Sequence, residues 1–172
     1  MYSSFTFEHL TNDLTHEQCV EIGHVFSLAH TPDEPNKEGP CPHTKMKEIK
    51  KISQNAQSNF ILVYQNITPE KQKLCAFLHL EKDDSSYYIH DICASLKGVG
   101  LGASMVTVAF GEAIKNNIEK ILLEPTPTSY AFYENLLFDS YVCPEKEKVM
   151  MKNTNIKETY EYLNAVYNKA KL

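Results

Sequence analysis

The chain has 172 residues, of which 42% are hydrophobic and 23% charged, and its formal net charge is −5 at pH 7. This length provides one domain with a substantial hydrophobic core and leaves too little for two. The acidic balance disfavours non-specific binding to nucleic acid, and no apolar run reaches the ~18 residues that a membrane span needs.

The first third of the chain predicts one strand and two helices. Alternating apolar residues predict a strand at about 5–9, and a capping-box pattern opens a helix over 14–29. Four prolines and a glycine predict a loop over 31–43. After this loop, Thr44 can cap a weaker helix that extends to about Ala56.

The middle of the chain predicts a group of strands and then a helix. Strands are expected at about 59–65, 73–81 and 86–95, and the short turns between them make them antiparallel. Apolar periodicity then predicts a helix over 102–117 and a strand over 119–124. Because a helix joins the last two of these strands, they should be parallel to each other.

The last third predicts a mixture of short elements. A helix should begin near Thr128, and strands should follow at 139–143 and 147–152. Residues 155–171 carry an apolar stripe that predicts a last, amphipathic helix. We expect residues 1–172 to form a single domain, with this last helix as an appendage.

The segment before the helix at 102–117 carries the clearest chemical signal. Three of the six glycines lie in this segment, which reads Lys97-Gly98-Val99-Gly100-Leu101-Gly102. The free N–H groups and the dipole of a helix N-terminus favour an anion, and glycines let the backbone approach a phosphate closely. Strand, glycine loop and helix in this order therefore predict a phosphate or pyrophosphate site.

Two other phosphate motifs fit this segment less well. A P-loop needs a Lys followed by Ser or Thr after its glycines, and this sequence has none there. Gly98, Gly100 and Ala103 fit the G-x-G-x-x-(G/A) dinucleotide fingerprint, with Glu124 at about the expected distance. That fold needs several further βαβ units, which the remaining chain does not supply. A Rossmann-like oxidoreductase with a nucleotide cofactor is kept as an alternative.

Two segments resemble motifs of one family. Residues 97–102 resemble the (R/Q)-x-x-G-x-(G/A) acetyl-CoA loop of the GCN5-related N-acetyltransferases (GNAT), with Lys97 where that family usually has Arg or Gln. Residues 131–138, AFYENLLF, resemble the family's A-x-x-F/L-Y-E-K-L-G-F helix, with Leu137 in place of the usual Gly. The motifs stand in the family's order within residues 86–142.

The resemblance implies a mixed α/β (α+β) fold, in which helices flank a central, mixed, mostly antiparallel sheet with two splayed parallel strands. It implies acetyl-CoA as the acetyl donor, with the pantetheine arm in the gap between those strands, and no metal. It implies direct transfer to a primary amine, either a small amine or a protein Lys or N-terminus. The residues implied to bind acetyl-CoA are Ile92, Lys97, Gly98, Val99, Gly100, Leu101, Gly102 and Ala103.

The same resemblance implies candidates for the catalytic residues. Tyr133 matches the family Tyr that protonates the leaving thiolate, and a phenol, with a pKa of about 10, suits that role. Glu124 matches a strand-end Glu that serves some members as general base. His90 and Asp91 are the alternative, and an imidazole titrates closer to neutral pH. Because side chains alternate along a strand, at most one of these two should face the cleft.

The remaining expectations concern compartment and partners. Residues 1–11 lack the charged start and apolar core of a signal peptide, so we expect a cytoplasmic protein with five reduced cysteines. His24, His30, Cys41 and His43 have no zinc-finger spacing, so we expect no zinc.

The acidic chain favours a cationic acceptor and no binding to nucleic acid or membrane. We expect a monomer or a homodimer. A non-catalytic, CoA-binding or regulatory module with the same fold stays open as an alternative.

Overall fold

The computed structural model describes residues 4–10, 12–30 and 42–167, which form seven strands and five helices. In chain order they are β1 (Phe5–Leu10), α1 (His16–Ala29), α2 (Pro42–Ser53), β2 (Ser58–Thr68), β3 (Lys71–Asp83), β4 (Ser86–Ala94), α3 (Leu101–Lys115), β5 (Lys120–Leu123), α4 (Tyr130–Asn135), β6 (Asp139–Cys143), β7 (Lys148–Asn153) and α5 (Ile156–Tyr167). This is the order of elements that the sequence predicts.

The strands form one sheet in the order β1-β2-β3-β4-β5-β7-β6. Neighbouring strands are antiparallel except β4 and β5, which pair in parallel from Ser86 opposite Lys120 to Ile89 opposite Leu123. The predicted parallel pair is therefore confirmed. A dinucleotide-binding Rossmann fold has a mostly parallel sheet, so this topology excludes that alternative.

The contact between β4 and β5 is short. Strand β5 ends at Leu123, whereas β4 continues past Ile89 to Ala94 and leads into the glycine loop. The sheet therefore opens between these two strands at the end nearest the loop. This opening is the splayed arrangement that the family resemblance implies.

Hydrophobic clusters cover both faces of the sheet. Helices α3 and α5 pack on one face, where Leu78 and Tyr87 are buried. Helices α1 and α2 cover the other face, over Phe60 and Phe77. Leu163 of α5 is fully buried in the first cluster, which joins the last helix to the core of the domain.

Helix α2 begins earlier than the sequence predicts. The prolines of 31–43 predict a loop, but Pro42 is already the first residue of the helix. Proline is favoured in a first helical turn because the N–H that it lacks would have no acceptor there. The rest of the predicted loop lies outside the described residues, as do residues 168–171 of the predicted last helix.

Leu137 occupies the position after α4 where the family motif has Gly. Its φ is +65°, in the left-handed region that favours glycine. The N–H of Leu137 donates to Glu134 O (3.0 Å) and the N–H of Phe138 to Tyr133 O (3.1 Å), the bond pair of a Schellman cap. The cap thus forms without glycine, at the cost of strain in Leu137.

We expect Leu137→Gly to raise the free energy of unfolding by about 1 kcal/mol, because it relieves a left-handed leucine. The side chain is 45% exposed, so little packing is lost. Urea unfolding followed by circular dichroism measures the gain. Leu137→Ala is the matched control, since it shortens the side chain but keeps the strain and should gain nothing. A glycine variant less stable than the alanine variant would contradict this account.

Candidate active site

The loop between β4 and α3 needs glycine because of its backbone conformation. Gly98 and Gly100 have φ of +76° and +77°, and a Cβ at either position would meet open space. Gly100 is the N-cap of α3, and its carbonyl accepts a hydrogen bond from the N–H of Ser104 (3.0 Å). The loop conformation is therefore set by two left-handed glycines, with room beside each of them.

Gly102 is needed for a different reason. A Cβ there would lie 3.2 Å from Cζ of Phe132 and 3.9 Å from Cδ1 of Ile92. The first turn of α3 thus lies close to α4 and to the part of β4 that has separated from β5. The N–H groups of such a turn have no acceptor within their own helix, and residues 97–100 are exposed. The loop can therefore offer amide donors to an anion that arrives from solvent.

The predicted acetyl-CoA residues differ in exposure. Residues 97–100 are exposed and Gly102 is half-buried, whereas the side chains of Leu101 and Ala103 are buried in the core. Leu101 and Ala103 can therefore serve a ligand only through their backbone. Ile92 is half-buried and pairs with Leu78 of β3.

Tyr133 lies on α4 and is only 4% exposed. Its ring packs edge-on against Phe132 and Phe138, with ring centroids 5.0 and 5.7 Å away. Burial raises the pKa of its phenol well above the ordinary value, and nearby Cys93 and Asp91 act in the same direction. Tyr133 therefore stays protonated beside the open end of β4, which is the state that a general acid needs.

Strand β4 carries a bulge at His90. Asp91 pairs with His79 of β3 and Ile89 pairs with Leu80, so His90 has no partner residue. The ring of His90 stacks on His79, and Asp91 is the residue directly opposite His79, so the side chains of His90 and Asp91 lie on the same face. The prediction that they face opposite ways is wrong, because a bulge interrupts the alternation of side chains along a strand.

The two side chains at the bulge have different partners. Asp91 accepts a hydrogen bond from Nζ of Lys45 (3.0 Å), which ties α2 to β4. The Lys45 side chain is 7% exposed, and its Nζ lies 4.3 Å from the ring centroid of Phe26. His90 instead bonds Glu81 of β3, with Nε2 2.7 Å from Oε2. The carboxylate of Asp91 is thus already paired with a buried cation.

Glu124, the first base candidate, follows β5 directly and is half-exposed. Its Oε1 accepts a hydrogen bond from Nζ of Lys148 at 2.9 Å. Tyr88 lies close to His90, with ring centroids 4.7 Å apart. Burial raises the pKa of Tyr88 most, followed by the charge of Glu124. The structure thus brings both His90 and Glu124 into the neighbourhood of Tyr88.

No described helix is long and apolar enough to cross a bilayer. Nor does any group of three or more His, Cys, Asp and Glu side chains converge as metal ligands within the described ranges. Of the zinc ligands considered in the sequence, Cys41 and the side chain of His43 lie outside those ranges. Cys19, Cys75, Cys93 and Cys143 are free thiols.

Comparison with known proteins bears on the fold. No protein-family model matches the chain, and no curated protein matches its sequence. Among solved structures, it is similar to the ribosomal-protein-S18-alanine N-acetyltransferase of Escherichia coli, with a TM-score of 0.60, 16% identity and coverage of 87% of this chain and 91% of that one. It is also similar to Tetrahymena GCN5, with a TM-score of 0.61, 16% identity and coverage of 86% and 94%.

A third similar structure contains a ligand. It is the PaiA N-acetyltransferase of Thermoplasma acidophilum in complex with coenzyme A, with a TM-score of 0.64, 13% identity and coverage of 87% of this chain and 99% of that one. At these identities the comparisons show a shared fold. The mixed, mostly antiparallel sheet with two splayed parallel strands, flanked by helices, is thereby confirmed.

Proposed function

We propose that this chain, which has the fold of the GCN5-related N-acetyltransferases, transfers an acetyl group from acetyl-CoA to a primary amine. The observation that carries the proposal is the position of the glycine loop. It follows β4 at the point where β4 and β5 have separated, and it opens α3 with two left-handed glycines. A protonated Tyr133 stands beside the same opening.

The glycine loop fits the pyrophosphate of acetyl-CoA, and the opening between β4 and β5 fits its pantetheine arm. The amides of residues 98–103 would hold the pyrophosphate, because a helix N-terminus donates hydrogen bonds and carries partial positive charge. Lys97 is exposed and would add a point charge. The pantetheine arm would lie in the gap beyond the β4–β5 contact, where the backbone of Ile92 could bond its amides.

The protonation states favour direct transfer. Tyr133 would donate its proton to the departing thiolate. Cys93 of β4, which acts electrostatically on Tyr133, is buried, and burial together with Asp91 raises its pKa to about 12. A thiol that stays protonated is a poor nucleophile, so an acetyl-enzyme intermediate on Cys93 is disfavoured. The amine would then attack the thioester itself, with Glu124 or His90 as general base.

The acceptor is proposed to be cationic in solution, because the chain is acidic overall. The carboxylates at the site itself have cationic partners, in the pairs Asp91–Lys45 and Glu124–Lys148. Attraction would therefore come from acidic residues farther away. The candidates are Glu17 and Glu21 on α1, which are exposed and half-buried respectively, and Asp33, Glu34 and Glu38, which lie outside the described residues.

Calorimetry of the purified chain with acetyl-CoA, CoA and NADH tests the donor side. We expect acetyl-CoA and CoA to bind and NADH not to bind. Binding of NADH alone would overturn the proposal, whereas tight binding of CoA without any transfer would favour the non-catalytic module.

A panel of polyamines, lysine peptides and neutral or anionic amines tests the acceptor side, with acetylated product detected by mass spectrometry. We expect the best acceptor to be cationic and its KM to rise with salt. Added salt shortens the electrostatic screening length, which is about 8 Å at physiological ionic strength, and so weakens the attraction between exposed charges. A best acceptor that is anionic, with a KM insensitive to salt, would remove the attraction argument.

A further inference from the structure

We propose that Glu81 and His90 form a dyad in which His90 is the general base and Glu81 is the residue that positions it. This assignment rests on the proposed acetyl transfer and goes beyond it, because it chooses between two base candidates and adds Glu81. It is carried by the contacts of the His90 ring and by the place of His90 in β4.

The hydrogen bond between the two side chains fixes the tautomer of the imidazole. Nε2 of His90 lies 2.7 Å from Oε2 of Glu81. A carboxylate can only accept, so Nε2 carries the proton and the lone pair of the neutral ring is on Nδ1. Within the described part of the chain, Nδ1 of His90 makes no hydrogen bond, and the side chain is 38% exposed. Nδ1 is therefore available to take a proton from an amine.

Neighbouring rings hold the imidazole in place. His90 stacks on His79 with ring centroids 4.9 Å apart, and His79 stacks in turn on Phe60 at 4.6 Å. Nε2 of His79 is anchored by the hydroxyl of Ser58 at 3.2 Å. Burial, with a smaller contribution from His90, lowers the pKa of His79 to about 4. His79 is therefore neutral at neutral pH, and its ring supports His90 without repelling its charged form.

The bulge places His90 where the sheet opens. His90 is the first residue of β4 beyond the contact with β5, so no β5 residue lies beside it. The bulge leaves it without a partner on β3 as well, so its side chain does not follow the regular alternation of side chains between the two faces of the sheet. The glycine loop follows the C-terminal end of β4. An acetyl-CoA molecule whose pyrophosphate binds at the loop would therefore extend back along β4 towards His90.

Charged groups other than Glu81 also lie near His90. On one side, Asp91 of β4 is bonded to Lys45 of α2. On the other side, Tyr88 lies against the ring, and Lys146 of the β6–β7 turn lies 5.6 Å from the centroid of Tyr88.

Oε1 of Glu124 already accepts a hydrogen bond from Nζ of Lys148 at 2.9 Å, whereas Nδ1 of His90 has no such donor on it among the described residues. Of the two candidates, His90 has an anionic partner and Glu124 has a cationic one, which favours His90 as the base.

The proposed step balances in atoms and charge. As the amine nitrogen forms a bond to the thioester carbon, Nδ1 of His90 takes a proton from that nitrogen. The C–S bond breaks, and the departing thiolate takes the phenolic proton of Tyr133. Exchange with solvent then carries the proton from His90 back to Tyr133, so that both residues return to their starting states.

The test is kinetic and uses two substitutions of Glu81. Glu81→Ala should lower kcat roughly 10- to 100-fold, the usual effect of losing a partner that orients a reacting group, with the affinity for acetyl-CoA unchanged. Glu81→Gln should recover much of kcat, because its amide oxygen still accepts the Nε2 proton.

Glu70→Gln is the matched control. It removes the same charge at the opposite end of β3, about 35 Å away along the strand, and should leave kcat and the pH profile unchanged. A readout independent of activity is the imidazole ¹⁵N spectrum, in which His90 should carry its proton on Nε2 in the wild type and lose that preference in Glu81→Ala.

The outcomes separate the dyad from the underlying function. A wild type that binds no acetyl-CoA in calorimetry overturns both. A wild type that binds and transfers, while kcat of Glu81→Ala is unchanged, overturns the dyad alone. An acid limb that persists in His90→Ala and disappears in Glu124→Gln overturns it too, and makes Glu124 the base.

Discussion

Replacing Gly100 with aspartate should weaken binding of acetyl-CoA roughly a hundredfold, whereas replacing it with asparagine should weaken binding far less. Both side chains meet open space at this position, and both residue types tolerate a positive φ better than other residues do. The two variants therefore share the same backbone strain and nearly the same shape. They differ by one negative charge at the N-cap of α3, where the proposal places the pyrophosphate.

The size of the effect follows from electrostatics. At an effective dielectric constant of about 20, a carboxylate about 5 Å from one phosphate costs about 3 kcal/mol, which is roughly a hundredfold in Kd. Both side chains can cap the same N–H groups, so competition for those donors does not separate the two variants. Calorimetry with acetyl-CoA measures both variants, and circular dichroism establishes that both are folded. Equal affinities in the two folded variants would show that no anion binds at this loop.

The sequence predicts the glycine loop and the order of elements because both depend on local signals. Positive φ at Gly98 and Gly100 is a local requirement, and the capping box at Thr15 forms as its sequence predicts. The parallel pair follows from chain connectivity alone, since a helix joins its strands. Leu137 shows that a motif position can keep its backbone conformation when its residue type changes. It adopts the left-handed conformation of the glycine that it replaces.

The base candidates could not be placed from the sequence because their positions depend on how β3 and β4 pair. The bulge at His90 has no local sequence signal, and it puts His90 and Asp91 on one face. Lys45 of α2 and Lys148 of β7 reach the site from distant parts of the chain, so their pairing with Asp91 and Glu124 appears only in three dimensions.

Glu81 is different, since a signal for it exists in the sequence. The two-residue turn after Asp83 sets Asp83 opposite Ser86 and Glu81 opposite Tyr88. In a hairpin of that register, Glu81 lies diagonally across from His90, within reach of a long side chain.

Replacing Tyr133 with phenylalanine should lower kcat by about 10²-fold or more and leave the affinity for acetyl-CoA nearly unchanged. The substitution removes only the hydroxyl, so the edge-on packing of the ring against Phe132 and Phe138 is kept. The hydroxyl is proposed to act at departure of the thiolate and not in binding. Its removal should therefore affect turnover and not the calorimetric Kd.

Tyr130→Phe is the matched control for this prediction. It removes the same atom from the same helix, at a half-buried tyrosine to which we assign no catalytic role, and should leave kcat unchanged. The pH dependence gives a second measurement. A general acid must be protonated, and burial raises the pKa of Tyr133 above its ordinary value, so the wild-type rate should not fall at the alkaline end up to about pH 10. A wild-type rate that falls between about pH 8 and 10, or a Tyr133→Phe variant with full kcat, would mean that the thiolate obtains its proton from another group.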